Sequence, residues 1–466
     1  MRYSGFFIVL FICIGSFLSA NAQLRLPAVL SSGMVLQQKD SVTLWGWTYP
    51  GAKVSVTTGW NNATTTTNAT NGAIWSMKVL TPSAGGPYDI TIESGETIRL
   101  NDVLIGEVWV CSGQSNMEWS YNAGEKDLRN EMDAVKNPNI RFFHVPKTTS
   151  AYPQDDVRAK WTPCDSNTVK NFTAVGYFFG KRLNDSLKVP VGLINSSWGG
   201  TPAEVWTPAE RIENDSELLA ASDKLNKTST GWPWLQGCTY NAMIAPLSNF
   251  RIAGAIWYQG ESNVRSNSTY EKLLTTMIDS WRKTFKKNIP FYYVQIAPYD
   301  YGDSSNINGA LLQEAQTKAM TYPNVGMVVI TDLIDSVTNI HPSRKKEVGN
   351  RLANWALAQT YNHTGLAYKS PLFEGAGKKS GKVEISFQEV PTGFKLKGKN
   401  VEGFTISDPF GQWYPASAKI EGKKIIVWNR KVKDPVEVRY AFSNTLIGNV
   451  FSSEGLPLTP FRTGRL

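Results

Sequence analysis

From residue 24 to 102, short runs mixing β-branched and aromatic residues are separated by turn-forming clusters. Ser41–Trp47, Lys53–Thr58 and Tyr88–Glu93 read as strands, punctuated by Tyr49-Pro50-Gly51, Asn71-Gly72 and Gly85-Gly86-Pro87. The Thr/Asn stretch 61–71 reads as an exposed loop or edge. From about 103 the pattern changes. Continuous apolar runs at Val103–Cys111, Val189–Asn195, Ile252–Tyr258, Phe291–Ala297 and Val325–Thr331, with a weaker one at Ile140–Val145, have the character of parallel strands buried on both faces. Helical segments lie between them. Thr168–Leu187 is one. Ser268–Phe285 has a capping-box pair, Ser268 and Glu271, and an apolar stripe of Leu273, Leu274, Met277, Ile278 and Trp281. In Ser343–Tyr361, Val348, Leu352 and Trp355 share a face. From about 366 the β pattern returns, with Lys382–Phe387, Gly393–Lys397 and Lys424–Trp428. The chain thus divides into an all-β region (23–102), an α/β region with a parallel sheet (103–365) and a second all-β region (366–466).

Composition narrows the chemistry. Apolar residues make up 41% of the 466 positions and charged residues 19%, which fits a folded protein and excludes wholesale disorder. The net charge of +9 is spread along the chain without a dense Lys/Arg run, so no nucleic-acid partner is expected. There are only three histidines, His144, His341 and His363. A histidine-rich metal site is nearly excluded, and no metal or other cofactor is expected. His144 in a strand reads as structural, and His363 past a helix end reads as an exposed cap.

In an open α/β sheet, ligands bind beyond the carboxyl ends of the strands. The first buried strand runs into Ser112-Gly113-Gln114-Ser115-Asn116-Met117. The second runs into Ser196-Ser197-Trp198-Gly199-Gly200-Thr201, the third into Gln259-Gly260-Glu261-Ser262-Asn263. The last gives Asp332-Leu333-Ile334-Asp335, then Asn339-Ile340-His341-Pro342. Taken singly, each has a plainer reading: Ser115 as a helix N-cap, His341-Pro342 as loop punctuation, Gly199-Gly200 as a turn, Glu261 and Asn263 as loop residues bonding backbone groups. Together they are the residue types acyl transfer uses. A serine hydroxyl is a weak nucleophile until a base takes its proton, and His341 suits that task. Fixed N–H donors must then face the oxyanion: the backbone near Ser115, a glycine, and a side-chain amide such as Asn263. The tryptophans Trp119, Trp198, Trp206, Trp232 and Trp234 read first as core, though an indole face also stacks on sugar rings.

Gly113-Gln114-Ser115-Asn116-Met117, Trp198-Gly199-Gly200-Thr201, Tyr258-Gln259-Gly260-Glu261-Ser262-Asn263 and Ile340-His341-Pro342 together resemble the SGNH hydrolase superfamily, in particular the sialate O-acetylesterase family and related carbohydrate acetylesterases. Met34-Val35-Leu36-Gln37 and the ending Glu454-Gly455-Leu456-Pro457 with Pro460-Phe461-Arg462-Thr463 fit the same family. The resemblance implies a three-layer α/β/α hydrolase domain with accessory β regions, and metal-independent release of acetate from an O-acetylated carbohydrate such as sialic acid. Ser115 would be the nucleophile and His341 the base. Ser115 N–H, Gly200 N–H and the Asn263 side chain would form the oxyanion hole. Gln114, Trp198, Gln259 and Glu261 are candidates to line the substrate. The superfamily's Asp three residues before the histidine is replaced by Thr338, so a third triad member is sought in Asp335 first and Asp332 second, a Ser-His dyad being the alternative. An acetyl-xylan or other plant-polysaccharide acetylesterase uses the same machinery, and a catalytically silent carbohydrate-binding protein is the reading from another class.

The first residues carry a different message. Arg2, an apolar run from Phe6 to Leu18 and Ala20-Asn21-Ala22 have the order of an export signal cleaved before Gln23. The run is shorter than the roughly 20 apolar residues of a membrane span. The mature chain is expected to be secreted or periplasmic, without membrane insertion. Of the remaining cysteines Cys111, Cys164 and Cys238, a Cys164–Cys238 disulfide is the pairing to test.

Overall fold

The computed structural model describes residues 23–225 and 232–466; the expected export signal, residues 1–22, lies outside the described residues. In the N-terminal region the strands are β1 (Val35–Gln37), β2 (Ser41–Trp47), β3 (Lys53–Thr58), β4 (Ala63–Asn68), β5 (Ile74–Leu80) and β6 (Gly85–Ser94). The stretch read as loop or edge contains β4, which is exposed and pairs only with β3. β7 (Glu96–Gly113) is the structural spine. Its first half alternates and pairs antiparallel with β6, whereas its second half is buried throughout and enters the parallel sheet. The change of region expected at 102/103 therefore falls inside one 18-residue strand.

The parallel sheet continues with β8 (Asn137–His144), β10 (Val191–Ser197), β11 (Gly254–Tyr258), β12 (Phe291–Val294) and β13 (Val325–Val328), and β9 (Trp161–Cys164) closes one edge antiparallel. The order β13-β12-β11-β7-β10-β8-β9 puts β7 in the middle. Helices follow the strands: α1 (Ser115–Glu118), α2 (Ala174–Leu187), the short α3 (Ala209–Glu213) and α4 (Ser216–Asp223), α5 (Asn267–Thr284), α6 (Asn308–Ala319) and α7 (Lys345–Trp355). On one face Phe178 and Phe179 of α2 pack with Val348, Leu352 and Trp355 of α7. On the other, the expected stripe of α5, from Leu273 to Trp281, is wholly buried with Leu312 of α6. Each such aliphatic side chain contributes about 1.5–3 kcal/mol by leaving water. Three layers result, as the resemblance implies.

Local details differ from expectation at three places. The helix read from Thr168 begins at Ala174, where Thr173 Oγ1 accepts from Gly176 N–H and supplies the cap. Ser268 and Glu271 form no capping box, because α5 starts at Asn267 with Ser266 at the cap position and Ser268 inside the helix. Cys111, Cys164 and Cys238 are free and buried, so Cys164–Cys238 is not a disulfide; the two thiols belong to cores on opposite faces of the sheet.

The C-terminal region is all-β around Val383, Ile385, Ile425 and Val427. It docks on α6. Arg462 grips Glu314 through two hydrogen bonds of 2.9 and 2.8 Å, and Asn444 Oδ1 accepts from Gly309 N–H.

Candidate active site

Register brings the motifs together. Gly113, the last residue of β7, is opposite Ser197 of β10 on one side and Tyr258 of β11 on the other. The three central strands thus end level, and the segments that follow them lie side by side. Gly113 has φ +140°, and a Cβ there would sit 2.2 Å from Tyr258 O, so only glycine lets the chain turn out of the sheet at this point. Gln114 N–H then donates to Tyr258 O and Trp198 N–H to Gly113 O, both at 3.0 Å, which pins the three loops to one another.

Ser115 opens the single turn α1. Its Oγ is 2.9 Å from His341 Nε2, although 226 residues separate them in sequence. His341 comes from the long loop after β13, the strand at the sheet's edge. Three contacts fix it: the Trp119 indole stacks on the imidazole at 4.2 Å, His341 N–H donates to Asn339 Oδ1, and Asn116 Nδ2 donates to Ile340 O. Burial and the nearby Lys345 ammonium hold the imidazole below the ordinary histidine range, so it is neutral and able to accept a proton at neutral pH.

No carboxylate hydrogen-bonds to the imidazole among the described residues. Asp335, the expected third member, accepts from Ser343 N–H at 2.9 Å and Ser343 Oγ at 2.7 Å. It caps the approach to α7 and does not orient His341. Asp332 is committed to a two-pronged pair with Arg351, at 2.8 and 2.7 Å. Among the described residues Thr338 bonds only to Ser336. The arrangement is a Ser-His pair supported by an aromatic face.

The expected donors divide. The N–H groups of Ser115 and Gly200 have no protein acceptor among the described residues. Gly200 has φ +74° and lies under the Trp232 indole, which would be 2.4 Å from a Cβ. Gly199 N–H is already taken by Glu118 Oε2 at 2.5 Å, and Glu118 also pairs with Lys147. Asn263 is a correction. Its side chain is fully buried and its Nδ2 donates to both oxygens of Glu204 and to Ser266 Oγ, so its amide protons are already committed. Gln259 is likewise buried, bonded to Thr201 O, Asn263 Oδ1 and the Tyr270 hydroxyl, and does not line a substrate. The Gln114 side chain behaves differently. Its Oε1 accepts from Gly260 and Ser262 N–H groups at 3.4 and 3.3 Å, while Nε2 has no partner among the described residues. Ser262 Oγ in turn donates to Gly200 O, so Ser262 links the Gln114 amide to Gly200.

Two cavities flank this line of residues. One of about 600 Å3 is lined by Gly200, Ser262, Arg265, Lys224 and Trp234. The other, about 250 Å3, is lined by Glu261, Ser262, Arg265 and Tyr301. Trp232 is 42% exposed beside the first, whereas Trp206 is core. Trp198 packs partly buried against the core. His144 ends β8, and His363 is exposed past the last turn of the α7 segment. Sequence reading missed Lys345 and Glu204, whose significance depends on partners distant in the chain, and Arg265, whose place beside both cavities shows only in the fold.

Residues 105–358 match a family model described as carbohydrate esterase, sialic acid-specific acetylesterase. The sialate O-acetylesterase of Homo sapiens is 31% identical over 437 residues, covering 86% of this chain and 83% of the human one. That of Mus musculus is 30% identical over 503 residues, covering 94% and 93%. Among solved structures, a carbohydrate acetylesterase from Xanthomonas citri superposes with a TM-score of 0.87 at 34% identity, covering 95% of this chain and 99% of that one.

Proposed function

The chain belongs to the sialic acid-specific carbohydrate esterase family and is a carbohydrate O-acetylesterase; from this we propose that Ser115 and His341 carry its chemistry as a dyad. The observation that carries the proposal is the 2.9 Å contact between Ser115 Oγ and His341 Nε2 at the level ends of the central strands. His341 Nε2 takes the hydroxyl proton as Ser115 Oγ bonds to the acetyl carbonyl carbon. The carbonyl oxygen becomes an oxyanion facing Ser115 N–H, Gly200 N–H and the Gln114 amide, which takes the part expected of Asn263. The imidazolium gives its proton to the departing sugar oxygen, leaving Ser115 acetylated. Water, deprotonated by the same imidazole, then releases acetate and restores the serine.

For the sugar, we propose an acetylated ring that carries a carboxylate, as sialic acid does. Arg265 lines both cavities beside Gly200 and Ser262 and has no ion-pair partner among the described residues. Trp232 and Trp234 supply flat faces next to it, and guanidinium with aromatic faces suits an anionic sugar. Replacing Arg265 by Gln is expected to raise KM for O-acetylated sialic acid by roughly tenfold or more, from the ~1.5–3 kcal/mol of a charged hydrogen bond. Turnover of an aryl acetate should not change. The check is a panel of acetylated sialate, xylan and pectin with both enzymes. A preference for acetylated xylan that is indifferent to Arg265 would transfer the assignment to plant-polysaccharide acetylesterase. No turnover of any ester would favour the carbohydrate-binding reading.

We propose further that the protein acts outside the cytoplasm. The support is the order Arg2, Phe6–Leu18 and Ala20-Asn21-Ala22, which lies outside the described residues. No helix of the described residues is long and apolar enough to cross a membrane. N-terminal sequencing of the protein from its native host should begin at Gln23; a retained Met1 contradicts export by this route.

A further inference from the structure

Beneath the Ser-His pair lies a buried polar chain that the acetyl-transfer steps do not use. Lys345, the first residue of α7, is fully buried and its Nζ donates to Asn116 Oδ1 at 2.5 Å. The Nδ2 of the same Asn116 donates to Glu261 Oε1 at 2.6 Å and to Ile340 O at 3.0 Å. Asn116 follows Ser115, and Ile340 precedes His341. One amide therefore joins the turn that carries the nucleophile to the backbone that carries the base, with a lysine on its acceptor end and a glutamate on its donor end.

This is an expensive place for a lysine. A buried ammonium loses its hydration, and the start of a helix is the end where the backbone dipole disfavours a cation. Burial brings the Lys345 pKa down to about 7, against the attraction of Glu261, Glu125, Asp335 and Asp127. Glu261 is held above the ordinary carboxylate range by its own burial, and its Oε2 has no partner. Lys345 Nζ also lies over the Tyr258 ring, 5.1 Å from its centroid. A methionine of similar length would fill the volume without these costs, so packing alone does not account for the lysine.

We infer that Lys345 is a positioning residue of the esterase: through Asn116 it ties the Ser115 turn to the His341 loop, and its charge acts on the imidazole. It thereby fixes, from below, a base that no carboxylate orients. Around the imidazole stand the Ser115 hydroxyl, the Trp119 face and this ammonium. Around the ammonium stand Glu261 from the turn after β11, Glu125 and Asp127 from the segment after α1, and Asp335 from the His341 loop. Below about pH 7 Lys345 is charged, which is the range in which His341 titrates, so the lysine keeps the imidazole in its basic, neutral form at lower pH.

The inference rests on the Ser115–His341 reading and is tested separately from it. The profile of kcat/KM against pH for an aryl acetate is measured for the wild-type protein and for Lys345→Met, Lys345→Gln and Lys345→Arg. The acidic limb should rise by about one pH unit in the two neutral variants, the usual effect of one nearby charge, and stay in place in the Arg variant. All three should lose kcat with little change in KM. If Lys345→Met does not fold, the Gln and Arg variants decide the question alone. A limb that stays at the wild-type position in every folded neutral variant overturns the inference, whether or not kcat falls. A wild-type protein without esterase activity would instead remove the Ser115–His341 reading itself.

Discussion

Replacing Ser115 by alanine is expected to lower acetate release by about 10⁴-fold or more, as loss of a nucleophile does in other serine hydrolases. The change removes one oxygen. It leaves the fold intact, because Ser115 makes no capping bond in α1 and, among the described residues, its Oγ has a single partner, His341. Residual turnover would come from water attacking a bound ester that faces the free N–H groups of Ser115 and Gly200, which the substitution keeps. Thermal unfolding of the variant should match the wild type. A variant that retains turnover within tenfold of wild type would mean that another group attacks the ester.

The second large effect belongs to His341. Its replacement by glutamine should lower kcat by about 10³–10⁶-fold, because one imidazole serves as base for Ser115, acid for the sugar oxygen and base for water. The double change of Ser115 and His341 should be no worse than either alone, since the two act as a unit. Sensitivity to pH follows from the imidazole's surroundings. Its pKa is lowered by burial and by Lys345, so the catalytically competent neutral form persists below the ordinary histidine range near 6.5, and activity falls only as pH drops through that lowered value. Asp335→Asn serves as the control. Its carboxylate is bonded to Ser343 and not to the imidazole, so it should change kcat less than fivefold, whereas a triad aspartate typically costs about 10⁴. A loss of that size in Asp335→Asn would restore the triad.

Much of this was legible in the sequence, for reasons that can be named. Strands buried on both faces are unbroken apolar runs, and the residues after them in an α/β sheet form the ligand-binding edge, so the segments carrying Ser115 and His341, which lie 2.9 Å apart, could be singled out without coordinates. The helix at Asn308–Ala319 could not. Its buried face includes Gln313 and Gln316, whose amides bond Ile296 and Gln259, and polar side chains there erase the apolar stripe. Asn263 was misread because its partner, Glu204, lies 59 residues away and nothing local announces that its amide is occupied. Lys345 was passed over because a lysine opening a helix ordinarily faces water. Asp335 fails the triad role through a local competitor, Ser343, which supplies both a backbone and a hydroxyl donor to its carboxylate. The pattern recovers layers and strand ends; it does not show which polar groups satisfy each other across the site.

Acetylation of the serine itself is the step on which the account depends. The most direct measurement mixes the protein with an acetylated sugar, quenches it in acid within a turnover and weighs the peptide containing Ser115. One acetyl group is expected on Ser115 in the wild type and none at this position in Ser115→Ala. Acetate released at full rate with no acetyl ever found on Ser115 would contradict it.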